Sequence, residues 1–206
     1  MKMLRPSILN PRPGVVLPLL GGLVASILLN ATMFFSPKLG FPFIDVPHLM
    51  GGIFTSHPEA AFWIGFWLNF FVGTFVWSMV LSLVWTLIPG PITGFFAGAV
   101  KGIAWALVLF ILSGLLLPIA GAINRLDESV VTNPGFFASN LGGMGILGLF
   151  LGHIVYGLAL GLISGMGEGI FPMDTMGWAG YLKGETPPGG SYYQEDFPEY
   201  PSLGER

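Results

Sequence analysis

Four segments of the chain are long, apolar and nearly free of charge: residues 14–35, 60–88, 92–120 and 141–167. A helix needs roughly 20 apolar residues to cross the hydrocarbon core of a bilayer, and each segment reaches that length. Charged residues make up 9% of the chain. Soluble domains carry about 25%, so this chain cannot cover a globular surface with polar groups. The sequence therefore predicts an all-α integral membrane protein with four transmembrane helices.

These segments divide the chain into three parts. Residues 1–13 are predicted to form an N-terminal arm, residues 14–167 the four-helix transmembrane domain, and residues 168–206 an extended acidic tail. The first apolar run is too long for the hydrophobic region of a signal peptide, so we expect it to be a retained span.

Prolines mark two local features between the spans. The linker Pro89-Gly90-Pro91 ends one helix and allows the next to begin at once, so the second and third helices are expected to be antiparallel neighbours. In the preceding loop, Pro47 favours a short helix at "PHLMGGIF". That helix is too short to cross a membrane, and we expect it to lie in the interface.

Lysine and arginine near the helix ends predict which side faces the cytoplasm. The N-terminal arm contains Lys2, Arg5 and Arg12, whereas loop 36–59 has only Lys38 and loop 121–140 only Arg125. This asymmetry predicts a cytoplasmic N-terminus, and four spans return the C-terminus to the same side.

Two similar stretches fit a duplication of one helix pair. "LNFFVG" at 68–73 and "GHIVYG" at 152–157 align Asn69 with His153, and parallel repeats of this kind occur in transporters. Chance produces such a match as well in a chain rich in glycine and aromatic residues, so both interpretations stay open.

Glycines recur at four-residue steps on the predicted third and fourth helices. This spacing places small residues on one face, where helix backbones can approach closely. On the fourth helix the glycines form two faces, and a four-helix bundle needs only one, which leaves the second for another chain. The predicted packing set is Gly94, Gly98, Gly102, Gly148, Gly152, Gly157 and Gly161.

His153 is a candidate ligand for a haem or chlorin. An ionisable residue in a membrane helix is a functional hypothesis by default. Gly157, one turn away, would leave space over the imidazole, and Tyr156 would flank it. The alternatives are a proton path, or a neutral histidine that is hydrogen-bonded to Asn69, Asn30 or a carbonyl of a neighbouring helix.

Beside His153, the candidate polar residues inside the predicted spans are Asn30, Asn69 and Lys101. A buried ammonium is costly in a bilayer unless it pairs or reaches the interface. Lys101 is therefore expected to pair with Glu168 or to reach lipid phosphate, with a substrate or lipid head-group site as the alternative.

Several function classes are disfavoured by what the chain contains. It has no cysteine, no basic cluster, and no HExxH, GxSxG or Walker motif. We therefore predict no enzyme activity, no metal site and no nucleic-acid partner.

Aromatic residues punctuate the acidic tail and would be natural anchors on a partner surface. The alternative is a solvated tail without a partner. The predicted contact residues are Trp178, Tyr181, Tyr192, Tyr193, Phe197 and Tyr200.

The motifs "VPHLMGGIF" and "GHIVYGLALGLISG", with the paired-helix layout, resemble an uncharacterised family of small bacterial four-span membrane proteins. The resemblance covers roughly residues 14–167. It implies the four-span architecture and a bacterial cytoplasmic membrane, and it supplies no mechanism.

The leading functional hypothesis is a non-catalytic accessory subunit of a larger membrane complex, of the electron-transport or photosynthetic kind, with other membrane subunits and lipids as partners. The first alternative is a haem- or chlorin-binding protein with His153 as ligand. The second is a small transporter or lipid-binding protein built around Lys101, Asn69 and His153.

Overall fold

Six α-helices form in the computed structural model, which describes residues 15–88 and 95–170, with side chains as far as Met166. They are α1 (Val16–Phe35), α2 (Val46–Gly51), α3 (Pro58–Phe71), α4 (Ser78–Val84), α5 (Phe95–Ala122) and α6 (Gly142–Ile170). A π-helical segment, Val72–Trp77, joins α3 to α4 without a break. Short 3₁₀ turns cover Ser36–Leu39 and Phe136–Leu141.

The prediction of an all-α four-span membrane protein is confirmed. Four helical stretches are long and apolar enough to cross a bilayer: Val16–Leu39, Pro58–Val84, Phe95–Ala122 and Phe136–Met166. The second of these, called the second span below, comprises α3, the π-helical segment and α4. Large apolar side chains face outward along the spans, for example Phe96 at 80% and Trp67 at 59% exposure, as lipid-facing surfaces require.

The short helix predicted at Pro47 is present as α2. Asp45 caps it, because its carboxylate accepts the backbone N–H of His48 at 3.2 Å. Glycine brings α2 against α3: a Cβ on Gly51 would collide with the carbonyl of Ala61, and one on Gly65 with the carbonyl of Pro47. Pro47 and Leu49 are buried, so α2 packs on the bundle.

Helix α6 packs along both α5 and α1. Its contact with α5 is backbone to backbone, since a Cβ on Gly102 would collide with the carbonyl of Gly157 and one on Gly98 with the carbonyl of Gly161. The glycine pattern on these two helices therefore serves packing within the chain.

The second glycine face of α6 is also covered by the chain itself. A Cβ on Gly148 would lie 3.5 Å from Cβ of Phe41, and one on Gly152 would lie 3.3 Å from Cδ1 of Leu29. The expectation that this face is left for another chain is wrong, because α1 and the loop after it occupy it.

Helices α5 and the second span meet through large side chains. The rings of Trp77 and Trp105 are 6.3 Å apart, and the ammonium of Lys101 lies 4.6 Å from the ring centroid of Trp85. These bulky contacts keep the two backbones apart, whereas glycine draws α5 onto α6. The backbone of α5 therefore lies closer to that of α6 than to that of the second span.

Candidate ligand-binding site

A cavity of about 480 Å³ lies inside the bundle, lined by all four spans and by α2. Its wall is mostly apolar, and no aspartate, glutamate, lysine or arginine of the described chain lines it. The polar side chains in the wall are Thr32, Ser36, Asn69, Ser113, His153 and Tyr156, together with the indole of Trp77.

Two features of the sequence make room for this cavity. Gly73, Gly148 and Gly152 line it and contribute no side-chain volume. At the same level, α5 presents Leu109, Leu112 and Leu116, with the second span held away from it by the tryptophan contacts.

The cavity opens towards the lipid-facing surface beside the C-terminal half of α5. Leu116, Ile119 and Ile123 line the cavity and are 49%, 54% and 54% exposed. An apolar molecule in the bilayer could therefore reach the cavity without leaving the hydrocarbon region.

Helix α2 covers one end of the cavity with Leu49 and Met50. Asn124, just after α5, holds it there: its amide donates to the carbonyls of His48 and Leu49 at 3.1 and 3.0 Å. Because these bonds join the end of α2 to the end of α5, they fix the position of this cover.

Both ring nitrogens of His153 are hydrogen-bonded. Nδ1 lies 2.7 Å from the carbonyl oxygen of Leu149, so Nδ1 carries the proton and donates to it. Nε2 is then the acceptor, and the hydroxyl of Ser113 on α5 donates to it at 3.0 Å. The partners are thus Ser113 and the carbonyl in its own helix, and the sequence-based choice of Asn69, Asn30 or a neighbouring helix's carbonyl is wrong.

The space expected over the imidazole at Gly157 is filled. A Cβ on Gly157 would collide with Ala106 and the carbonyl of Gly102, because α5 lies directly against it. A haem or chlorin iron or magnesium at Nε2 would also have to displace Ser113. The arrangement around His153 therefore does not fit an axial-ligand role, and that hypothesis receives no support from the geometry.

Tyr156 crosses from α6 to the π-helical segment. Its side chain is 2% exposed, and its hydroxyl donates to the carbonyl of Gly73. The hydroxyl of Ser78 similarly donates to the carbonyl of Thr74. Because a π-helical segment disturbs the regular helical bonding, side-chain hydroxyls supply the hydrogen bonds that its carbonyls need in a membrane.

Asn69 differs from most of the polar residues in the cavity wall. Its carboxamide makes no hydrogen bond within the part of the chain that the structure describes. Asn69 and His153, the pair aligned in the sequence, line the same cavity from different helices. The duplication itself stays a prediction.

Asn30 and Lys101, the other two predicted polar residues of the spans, lie away from the cavity. Asn30 donates to the carbonyl of Ser26 at 2.8 Å, one turn back in α1. Lys101 is fully buried over the Trp85 ring, so it does not reach lipid phosphate. Its predicted pairing with Glu168 concerns a side chain outside those described.

Gly94 and the six predicted contact residues of the tail lie outside the described residues. Among the residues that are described, no group of three or more histidine, cysteine, aspartate or glutamate side chains could hold a metal ion.

Sequence reasoning missed Ser113 and the cavity itself. Ser113 had a usable signal, since a hydroxyl on α5 near the level of His153 is a natural partner for an intramembrane imidazole. The cavity had no such signal in the sequence, because its size depends on the distances between the helices.

Comparison with known proteins gives no family. No protein-family model matches the chain, and neither curated proteins nor solved structures give a significant match. The resemblance to small bacterial four-span proteins thus stays a prediction.

Proposed function

We propose that this protein binds an uncharged, mostly apolar molecule that enters its cavity laterally from the lipid bilayer. The cavity carries this proposal. Its volume of about 480 Å³ falls within the range of small-molecule sites, about 300–1,000 Å³. An uncharged apolar wall suits lipid-like molecules, and the opening beside Leu116 and Ile119 faces the region where such molecules dissolve.

We further propose a multi-pass location in the bacterial cytoplasmic membrane with both termini in the cytoplasm. The basic N-terminal arm supports this orientation. In this orientation, α2 and the end of the cavity that it covers lie towards the outer face of the membrane. Binding without catalysis is the proposed activity.

The accessory-subunit hypothesis stays a prediction, and one of the two sequence features that favoured it no longer does. The second glycine face of α6, which favoured a partner chain, is occupied by α1 and Phe41. Its other support, the aromatic tail, lies outside the described residues. Stoichiometric membrane subunits that copurify with the protein would favour it over a stand-alone binding protein.

A photoreactive long-chain alkyl diazirine tests the proposed binding. The protein is reconstituted in phospholipid vesicles with the probe, irradiated and mapped by mass spectrometry. We expect adducts on Leu109 and Leu149, which line the cavity and are 5% and 7% exposed. Adducts on Leu107, which is 42% exposed and lies outside the cavity wall, report ordinary contact with the bilayer.

Two substitutions on one helix provide the matched control. Gly148→Phe places a ring in the cavity wall, whereas Gly143→Phe adds the same ring where a Cβ meets nothing within 4 Å. Labelling of Leu109 and Leu149 should fall severalfold in the first variant and stay unchanged in the second. Labelling confined to lipid-facing residues, or unaffected by Gly148→Phe, would contradict the proposed function.

A further inference from the structure

The hydrogen-bond donors of most polar side chains in the cavity wall are already used. Thr32 and Ser36 donate to carbonyls of α1 at 2.7 and 2.8 Å. Ser113 donates to His153, and His153 and Tyr156 donate to backbone carbonyls. These groups are satisfied without a ligand.

The carboxamide of Asn69 and the indole N–H of Trp77 are the exceptions among the polar groups of the wall. Neither has a hydrogen-bond partner in the described part of the chain. A polar group that faces an apolar space without a partner is unfavourable, so a molecule that offers a partner gains affinity. Asn69 has both donors and an acceptor to offer, while Trp77 has one donor.

Asn69 lies near the middle of the second span. It is the eleventh residue after Pro58, where the second span of 27 residues begins. At 1.5 Å per residue, Asn69 is about 16 Å along a helix of about 40 Å. A ligand group that reaches Asn69 is therefore far from both interfaces.

Charge at this depth is strongly disfavoured. Moving a charged group to the bilayer centre costs several kcal/mol or more unless an opposite charge meets it, and the cavity wall supplies none. A phospholipid that keeps its head group at the interface could place only an acyl chain in the cavity. Such a chain leaves Asn69 without a hydrogen-bond partner.

We infer that the bound molecule is a neutral lipid whose uncharged hydroxyl or carbonyl group hydrogen-bonds to Asn69 near the midplane. This inference rests on the proposed function. A hydroxyl and a carbonyl are both suitable head groups. The carboxamide can donate a hydrogen bond to a carbonyl, and it can donate to a hydroxyl or accept from one.

Competition against the alkyl diazirine probe tests the inference. Hexadecane, hexadecanol, a hexadecyl methyl ketone and hexadecyl sulfate are compared at equal concentration in the bilayer, with adducts on Leu149 as the readout. These four competitors have nearly the same alkyl chain and differ in their head groups. One hydrogen bond should make hexadecanol or the ketone about three- to tenfold more effective than hexadecane. Hexadecyl sulfate should compete no better than hexadecane.

Two near-isosteric variants assign the effect to Asn69. Asn69→Leu removes the carboxamide and should abolish the advantage of the neutral polar head groups over hexadecane. Thr32→Val removes a hydroxyl in the same wall that already donates to Leu28, and should preserve that advantage. Circular dichroism of each variant verifies that the helices form.

The outcomes separate this inference from the function on which it rests. If the probe never labels Leu149, the proposed function fails. If Leu149 is labelled but all four competitors act equally, the neutral-head inference is overturned while the binding function stands. The same holds if hexadecyl sulfate competes best, or if the preference survives Asn69→Leu.

Discussion

Replacing Tyr156 with phenylalanine tests whether its hydroxyl satisfies the π-helical segment. The side chain is 2% exposed, and its hydroxyl donates to the carbonyl of Gly73. Tyr156→Phe keeps the ring and leaves that carbonyl without this donor. A buried polar group deprived of its partner costs about 1–2 kcal/mol, which is a five- to thirtyfold change in the unfolding equilibrium constant. Reversible unfolding in mixed detergent micelles, followed by circular dichroism, measures this difference.

Thr74→Val is the matched control in the same π-helical segment. The Oγ1 atom of Thr74 is buried and has no hydrogen-bond partner among the described residues. Replacing it with a methyl group of similar shape should change the free energy of unfolding by less than about 0.5 kcal/mol, or should stabilise the protein. If the two variants are equally destabilised, or if Tyr156→Phe costs nothing, the proposed role of the Tyr156 hydroxyl is refuted.

Three further predictions address packing, the helix that covers the cavity, and one exposed loop. Gly102→Leu should separate α5 from α6 and lower the unfolding free energy by about 2 kcal/mol or more, whereas Gly143→Leu, with nothing within 4 Å of its Cβ, should be tolerated; the same unfolding assay compares them. Asn124→Ala should speed amide hydrogen exchange in α2, because it removes both side-chain bonds to the end of that helix, and unchanged exchange would show that these two bonds do not hold α2 in place. The backbone N–H of Ser129 donates to the carboxylate of Asp127 at 2.8 Å and lowers the pKa of that carboxyl below 3.8. This bond stabilises the folded loop above the ordinary carboxyl range and is lost as the pH falls through the lowered pKa, so the amide shift of Ser129 should titrate with a midpoint below 3.8; a midpoint at or above it contradicts the bond.

Much of the architecture was predictable because the bilayer leaves few choices. Long uncharged apolar segments must form helices that satisfy their own backbone groups, so the four spans followed from hydropathy and length. Pro47 likewise predicted α2. Proline lacks a backbone N–H, and in the first turn of a helix that N–H would have no partner within the helix. The π-helical segment was not predicted, because its sequence is as apolar as the rest of the second span.

The site was predicted only in part. Asn69 and His153 were identified as polar residues in apolar helices, and both line the cavity. Their partners depend on how the helices rotate and approach one another, which single-chain periodicity does not determine. Periodicity thus predicted neither the hydrogen bond between His153 and Ser113 nor the lack of a partner for Asn69 among the described residues.

The glycine pattern gives the same lesson about helix faces. Four-residue spacing predicted close packing, and α5 and α6 meet through Gly98, Gly102, Gly157 and Gly161. The spacing did not reveal which neighbour would cover Gly148 and Gly152. That depends on the path of the loop after α1, which places Phe41 over Gly148.

Identification of the molecule that the protein retains from its own membrane is the most direct test of a cavity for neutral lipids. The protein would be extracted without detergent in polymer-bounded lipid discs, and its lipids would be quantified by mass spectrometry, beside the Gly148→Phe variant prepared in the same way. The account predicts one uncharged, hydroxyl- or carbonyl-bearing lipid enriched over the bulk membrane in near-stoichiometric amount, and lost in the variant. Lipids in the proportions of the surrounding membrane, identical for both proteins, would contradict it.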